Sequence, residues 1–220
     1  RPAGAHGEDA GPPAGVRAQL SKMERHSTLE ASLIDDLLEL TRNAHGKLSL
    51  RTQPCDAHHL LEQAVEMVLS DAQGKRQTIE VDLVAEHSRV IGDPARLQQV
   101  FWNLLKNAVK FTPESGRLSV HSHDLEGRLA LEISDSGIGI SADSVERIFL
   151  PFEQGGAASA EHRVGGLGLG LSIAKAILDL HGGSIQAESG GLGEGATFRV
   201  ELPATEQSLG KAKATAGSDK

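Results

Sequence analysis

Three groups of residues have types and spacings that suit the binding of a phosphate-bearing ligand. The first lies on a predicted helix that begins at the capping pair Asp93 and Pro94, where Asn103, Asn107 and Lys110 follow at i, i+4 and i+7. Amide oxygens bind a hard cation such as Mg²⁺, and an ammonium group attracts phosphate. Alone, such a row is more often a solvated helix face, because Asn and Lys are common at exposed positions.

The second group is the segment 135–139, Asp-Ser-Gly-Ile-Gly, directly after a predicted strand that ends at Ile133. The carboxylate of Asp135 can accept hydrogen bonds, for example from the exocyclic amine of a base. Gly137 and Gly139 would let the backbone approach a flat ligand closely. A tight strand-to-loop turn explains the same residues equally well.

The third group is the glycine-rich run 165–171, which leads into a predicted helix. Glycines at a helix N-terminus leave backbone N–H groups available to phosphate oxygens. No clear parallel βαβ unit surrounds the run and no Gly-Lys-Ser/Thr follows it, so it is neither a dinucleotide fingerprint nor a Walker A loop. Each group alone is a weak signal, but together they supply the cation ligands, base acceptor and phosphate cradle of a Mg-nucleotide site.

Hydrophobic periodicity predicts the elements that position these groups. Apolar residues at helical spacing predict one long helix over 16–43, closed by Gly46, with a stripe that needs a partner helix. We also expect a helix after the capping residue Asp56 and another over 168–181. Alternating apolar residues predict strands at 79–83, 118–120, 129–133, 185–187 and 198–202. The mixture predicts an α+β fold, a two-layer α/β sandwich with a mixed sheet and helices on one face, preceded by one long helix.

Composition excludes several classes of protein. The chain has 220 residues, of which 39% are hydrophobic, which suffices for a packed core. Cys55 is the single cysteine, so neither an intrachain disulfide nor a cysteine-based zinc site is possible. A net charge of −8 argues against general nucleic-acid binding. No apolar run reaches roughly 18 residues, so no transmembrane helix is expected in this stretch.

Five segments, in their order and spacing, resemble the motifs of one protein family. That family is the catalytic, ATP-binding half of bacterial sensor histidine kinases, within the gyrase/chaperone/histidine-kinase/MutL ATPase superfamily. The matching segments are 103–111 (N box), 135–139 (G1 box), 149–152 (F box), 166–171 (G2 box) and 193–198 (last glycine motif), and 33–48 is similar to the end of the second dimerisation helix and its linker.

The resemblance, together with the polar ends of the chain, implies four parts. We expect a flexible segment over 1–15, the second helix of a dimerisation domain over 16–46, an ATP-binding catalytic domain over 47–203 and a disordered tail over 204–220. The chain begins with Arg1 and not with Met, so we expect it to be a piece of a longer protein.

The resemblance also implies a role for each residue of the three groups. Asn107 would be the Mg²⁺ ligand with Asn103 beside it, and Lys110 would face the phosphates of ATP, which makes these three the expected catalytic residues. Asp135 would accept from the adenine amine, and 141–165 would form a mobile lid. The other expected nucleotide-binding residues are Gly137 and Gly139 around the base, Gly166, Gly168 and Gly170 at the phosphates, and Thr197 at the adenine end.

The implied function is to position Mg-ATP for γ-phosphoryl transfer to a histidine. In the superfamily's hydrolases a Glu at the position of Asn103 is the general base, whereas an amide takes no proton at neutral pH. No His-Glu-x-x-x-Pro motif occurs in the chain, and His26 lies on the helix that resembles the second dimerisation helix. We therefore expect the phosphoacceptor helix to be missing before Arg1, and the chain to bind ATP without autophosphorylating.

Three other functions stay open. One is a non-catalytic nucleotide-binding or interaction module derived from such a kinase; another is an ATPase of the chaperone or topoisomerase branch, which Asn103 disfavours. The third is a serine kinase related to anti-sigma factors, against which the long helix before the domain argues. The expected partners are a response regulator, the missing phosphoacceptor helix and a second copy in a full-length homodimer, without nucleic-acid or membrane contact by this cytoplasmic portion.

Overall fold

The structure, a computed structural model, describes residues 50–153 and 167–205. The expected flexible segment over 1–15, the long helix over 16–46 and the tail from 206 onward lie outside these residues. Ala204 and Thr205, which the sequence assigned to the tail, still pair with the domain: Ala204 forms a bridge to Val90, and the Thr205 N–H donates to Arg89 O at 2.8 Å. The folded domain therefore extends past the predicted boundary at 203.

Three helices and seven strands make up the described part of the chain, together with two short 3₁₀ turns. In chain order they are β1 (Gln53–Asp56), α1 (Ala57–Gly74), β2 (Thr78–Leu83), β3 (Arg89–Gly92), α2 (Pro94–Phe111), β4 (Arg117–Leu125), β5 (Arg128–Asp135), α3 (Gly170–Leu180), β6 (Ser184–Glu188) and β7 (Ala196–Pro203).

Five strands form a mixed sheet in the order β2-β4-β5-β7-β6. The β2–β4 pair is parallel and the other three pairs are antiparallel, which confirms the predicted mixed sheet. A separate two-stranded sheet joins β1 to β3 in antiparallel register. The sequence pattern did not predict this small sheet, because each strand has four residues with mixed exposure and too few alternations to stand out.

The helices cover one face of the sheet, as predicted. On β5 the side chains of Leu129, Leu131 and Ile133 are buried in the core shared with the helices. The residues between them include Glu132, which pairs with Arg199 of β7 on the opposite face. Helix α2 packs against both α1 and α3, so it is the central helix of its layer. This central position explains why α2 is buried along most of its length.

The N-terminus of α2 is capped as the Asp93-Pro94 pair predicts. The Asp93 carboxylate accepts from the Arg96 N–H at 3.3 Å and from the Arg51 N–H at 3.0 Å. Pro94 occupies the first turn, where its missing N–H costs no hydrogen bond. These contacts set the start of the helix that carries Asn103.

The C-terminus of α2 is held by side chains from the turn between α1 and β2. Lys75 Nζ donates to the carbonyls of Val109, Lys110 and Thr112 at 2.8, 2.8 and 3.1 Å. The buried amide of Gln77 donates to two of the same carbonyls. A positive charge at the negative end of a helix dipole, bonded to carbonyls that have no partner within the helix, stabilises that end of α2.

Replacing Lys75 with methionine should lower the free energy of unfolding by about 1.5–3 kcal/mol, because hydrogen bonds from a charged donor are lost at buried carbonyls. Chemical denaturation monitored by circular dichroism measures this change. Lys175→Met is the matched control, since the Lys175 ammonium makes a single 3.4 Å contact with Asp179 at the surface. Equal stability of the two variants would show that the Lys75 contacts do not stabilise α2.

Candidate nucleotide-binding site

Asn103 lies at the contact between α2 and the start of α3. Its side chain is buried, with 7% exposed, and its Nδ2 donates to Gly170 O at 3.2 Å. The amide nitrogen is occupied in this way, while an amide oxygen can act as an acceptor or a cation ligand. The structure thus brings together Asn103 of the N box and Gly170 of the glycine run, 67 residues apart.

Asn107 and Lys110 continue along α2 and are both half-buried. Burial lowers the pKa of the Lys110 ammonium, and the nearby charge of Lys106 lowers it further. The Lys110 Nζ lies 4.6 Å from the centre of the Phe111 ring. Lys110 is therefore a partly desolvated cation, and a phosphate beside it would relieve the cost of its charge.

Asp135 is the last residue of β5, and its carboxylate is held by backbone donors. The Gly137 N–H donates to Oδ1 at 2.8 Å. Burial raises the pKa of Asp135, while hydrogen bonds from the N–H groups of Gly137 and Ala196 oppose that shift. A half-buried carboxylate that two backbone donors orient can accept a hydrogen bond from a donor group on a ligand.

Gly137 and Gly139 are required by the protein's own backbone. A Cβ at Gly137 would lie 2.6 Å from Phe111 O, and Gly139 has a φ of +69° with Gly191 O in the space that a Cβ would take. We expected these glycines to make room for a base. The structure supplies a different and sufficient reason, because neighbouring chain segments already fill the space.

The glycine run lies at the N-terminus of α3. Gly168 has a φ of +73°, and a Cβ there would lie 2.5 Å from Glu153 O. Gly170 is the first residue of α3, so its N–H is among those that lack a partner within the helix. Gly166, the third expected glycine, lies outside the described residues.

Thr197 does not join Asp135. The register of β5 and β7 places Ala196 opposite Asp135 and Thr197 opposite Ser134. Successive side chains of a strand face opposite sides of the sheet, and the Thr197 hydroxyl lies 2.8 Å from the Ser134 hydroxyl. The structure therefore places the Thr197 side chain on the outer face of the sheet, away from the expected adenine end.

Ala196 was missed among the expected site residues. It contributes through its backbone N–H, which hydrogen-bonds to Asp135. The alternation of buried residues on β7, with Phe198 and Val200 facing the helices, is the sequence signal that could have found it. Counting back by two from Phe198 puts residue 196, not 197, on the side of Asp135.

The segment predicted as a lid is partly anchored. Residues 142–144 and 147–149 form 3₁₀ turns, and Ile148 is buried in the core with Phe149 packed against it. Phe152 is 59% exposed with a φ of +66°, and its N–H donates to Gly168 O at 3.2 Å. Phe149 is therefore a packing anchor and Phe152 is not, while residues 154–166 lie outside the described part.

Comparison with known protein families supports the nucleotide-binding character of these motifs. Residues 92–206, just over half of the chain, match the family described as histidine kinase-, DNA gyrase B- and HSP90-like ATPases. Helices long and apolar enough to span a membrane do not occur among residues 50–153 and 167–205.

Two relatives of known name are histidine kinases. The chain is 37% identical to the histidine protein kinase DivJ of Caulobacter vibrioides over 78% of the chain and 28% of that protein. It is 36% identical to the circadian input-output histidine kinase CikA of Synechococcus elongatus over 80% of the chain and 23% of that protein. The chain thus spans less than a third of the length of either relative.

Solved structures show the same architecture. Full-length ShkA in complex with AMPPNP superimposes with a TM-score of 0.73 at 29% identity, covering 90% of this chain and 41% of ShkA. The nucleotide-free catalytic domain of the histidine kinase ThkA gives a TM-score of 0.60 at 28% identity, covering 70% of this chain and 95% of that domain. The chain belongs to the histidine kinase-, DNA gyrase B- and HSP90-like ATPase family, and its described part is a catalytic ATP-binding domain of the sensor histidine kinase type.

Proposed function

We propose that the chain is the ATP-binding catalytic portion of a two-component sensor histidine kinase, which positions Mg-ATP for γ-phosphoryl transfer to a histidine. The observation that carries this proposal is the buried amide of Asn103, bonded to Gly170 O. At the position where the superfamily's hydrolases have a glutamate base, this side chain can orient groups but cannot take a proton from water. Transfer to an acceptor brought in line is then favoured over hydrolysis.

The residues of α2 fit a Mg²⁺ ion by the chemistry of their donors. The Asn107 side-chain oxygen is a hard neutral ligand, and the Asn103 oxygen lies one turn earlier on the same helix. Asn107 would hold the ion beside the phosphate oxygens of ATP. When bound, the ion would neutralise charge on the transferring phosphoryl group.

The rest of the proposed site divides into a base end and a phosphate end. At the base end, Asp135 accepts from the exocyclic amine of adenine while Gly137 holds the carboxylate. At the phosphate end, Lys110 and the N–H groups of Gly166, Gly168 and Gly170 bind oxygens. The AMPPNP complex of ShkA, a neighbour in fold, is consistent with ATP as the nucleotide.

Nucleotide affinity should fall at alkaline pH as Lys110 loses its proton. Because burial lowers the Lys110 pKa from its usual 10.5, the loss should begin at a lower pH than for an exposed lysine. Titrations of ADP over a series of alkaline pH values measure the effect. Lys110→Arg, which stays charged, should remove the dependence; a wild-type affinity that is constant over the same range would contradict a phosphate contact by Lys110.

A response regulator is the proposed downstream partner, and the phosphoacceptor helix and a second copy of the chain are its proposed partners within the full-length kinase. The relatives DivJ and CikA are named histidine kinases, and the resemblance to two-component sensor kinases implies these partners. We propose a cytoplasmic location for this portion, where ATP is available, with no nucleic-acid or membrane contact.

The test is to incubate the chain with γ-labelled ATP, Mg²⁺ and a separately made dimerisation domain carrying an acceptor histidine. Label that appears on the histidine, with little free phosphate, supports the proposal. Steady phosphate release without an acceptor would instead favour a hydrolase of the chaperone or topoisomerase branch. Nucleotide binding without transfer to any supplied acceptor would favour the non-catalytic module.

A further inference from the structure

Ser189, the residue after β6, joins two glycine-containing loops. Its Oγ accepts from the Ile140 N–H at 3.0 Å and lies 2.6 Å from Gly195 O and 3.2 Å from Gly191 O. A hydroxyl has a single proton, so it donates to the nearer carbonyl, that of Gly195. One side chain thus links the loop after β5 to the loop before β7.

Backbone contacts join the same two loops beside Ser189. The Gly193 N–H donates to Ile138 O at 2.8 Å, and the Gly195 N–H donates to Gly137 O at 3.2 Å. A Cβ on Gly139 would lie 3.2 Å from the Ser189 Oγ. Residues 137–140 and 191–195 therefore pack as one unit, with the Ser189 hydroxyl between them.

The donors that orient Asp135 lie in this unit or directly beside it. The N–H of Gly137 lies in the first loop, and the N–H of Ala196 comes directly after the second. The contacts between the two loops therefore help to hold the Gly137 donor against the carboxylate, while Ala196 is held by its pairing with Asp135 in the sheet. The hydrogen bonds of the Ser189 hydroxyl run to Ile140, Gly191 and Gly195. At the phosphate end, Gly170 O instead accepts from Asn103.

We infer that Ser189 is a positioning residue for recognition of the adenine base: its hydroxyl holds the two loops at the spacing that orients the Asp135 carboxylate. Because this role presupposes the proposed function of Asp135, it deepens the proposed function and does not replace it. Removal of the hydroxyl leaves the Ile140 N–H and Gly195 O without this partner, and the loops lose a link next to the base end.

The test compares a ligand that has a base with one that lacks it. Calorimetric titrations of the wild type and of Ser189→Ala use ADP and inorganic tripolyphosphate, both with Mg²⁺. We expect ADP to bind Ser189→Ala about 3- to 10-fold more weakly, which corresponds to the loss of one hydrogen-bonded link. Tripolyphosphate should bind both proteins equally, because the phosphate end is unchanged.

Two further variants separate this role from a general structural one. Ser184→Ala, at the other end of β6, should bind ADP as the wild type does. Ser189→Thr keeps the hydroxyl and should retain most of the ADP affinity. Hydrogen exchange at the Ile140 amide should be faster in Ser189→Ala than in the other proteins, which reports the broken link in the folded state.

The outcomes are distinct. Failure of the wild type to bind ADP would overturn the proposed function itself. Wild-type binding with unchanged ADP affinity in Ser189→Ala would overturn the role of Ser189 alone. An equal loss of ADP and tripolyphosphate affinity would also overturn it, because the hydroxyl would then support the whole domain and not the base end.

Discussion

Replacement of Asn107 by alanine should abolish the Mg²⁺-dependent part of nucleotide binding. The proposed ion has one side-chain oxygen from Asn107, and alanine offers no ligand in its place. Loss of groups that only support a metal ligand costs about 10–100-fold in affinity, so loss of the ligand itself should cost at least about 100-fold. Calorimetric titration of ADP with and without Mg²⁺ measures the change.

Gln98→Ala is the matched control for Asn107→Ala. Gln98 is an amide on the same helix, but its Nε2 donates to Gln63 of α1 at 3.1 Å, away from the proposed site. This variant should keep the full effect of Mg²⁺. Nucleotide affinity in Asn107→Ala that still increases with Mg²⁺ as in the wild type would remove Asn107 from the metal site.

Asp135→Asn should weaken the binding of ATP by about 10- to 100-fold, because a hydrogen bond to a charged group contributes about 1.5–3 kcal/mol. The asparagine oxygen can keep the bond from the Gly137 N–H, but its NH₂ group is a donor and cannot accept from the adenine amine. Competition between ATP and GTP is the measurement. Equal affinity of the wild type for ATP and GTP would contradict an adenine-reading role for Asp135.

The same substitution should leave the nucleotide-free domain as stable or make it more stable. Burial raises the pKa of Asp135, so the folded state favours the protonated carboxyl. This contribution to stability is fully present below about pH 3.8 and is lost as the pH rises through the raised pKa. At neutral pH the folded state therefore holds a penalised charge, which asparagine lacks. Thermal unfolding at pH 7 tests this expectation, with Asp82→Asn on the exposed face of β2 as a control.

ATP binding by the wild type should also weaken at acidic pH as Asp135 takes up a proton. Because its pKa is raised, the weakening should begin at a higher pH than an ordinary aspartate would give. Asp135→Asn should lack this dependence. Identical acid profiles for the two proteins would show that another group is responsible.

The helix that carries the site was predictable in detail. Asp93 and Pro94 are a start signal with a clear mechanism, and Pro113 excludes continuation, so α2 ends at Phe111 as the pattern indicates. Its spacing also placed Asn103, Asn107 and Lys110 on one face. Local signals were sufficient because both boundaries of α2 are set by adjacent residues.

Features that depend on distant segments were not predictable from local pattern. The β1–β3 sheet pairs Gln53 with Gly92, which no short-range signal indicates. The sequence around Lys75 does not distinguish it from an exposed lysine. Its contacts with the C-terminus of α2 depend on the tertiary fold. The reason for Gly139 likewise lies in Gly191, which packs against it from another loop.

Thr197 shows a different kind of error. The resemblance carried a role onto the threonine of the last glycine motif, although Phe198 beside it is buried on the helix side. Strand alternation then requires Thr197 to face the other way, and its bond to Ser134 agrees. A role transferred by motif needs this check of side-chain direction before it is accepted.

The most direct test of the proposed nucleotide site is a calorimetric titration of the chain with ADP, GDP and a non-hydrolysable ATP analogue, each with and without Mg²⁺. Binding that depends on Mg²⁺ and prefers adenine over guanine nucleotides is the predicted result. The absence of binding at saturating ligand would contradict it, and would mean that Asn107, Asp135 and the glycine run serve only the fold.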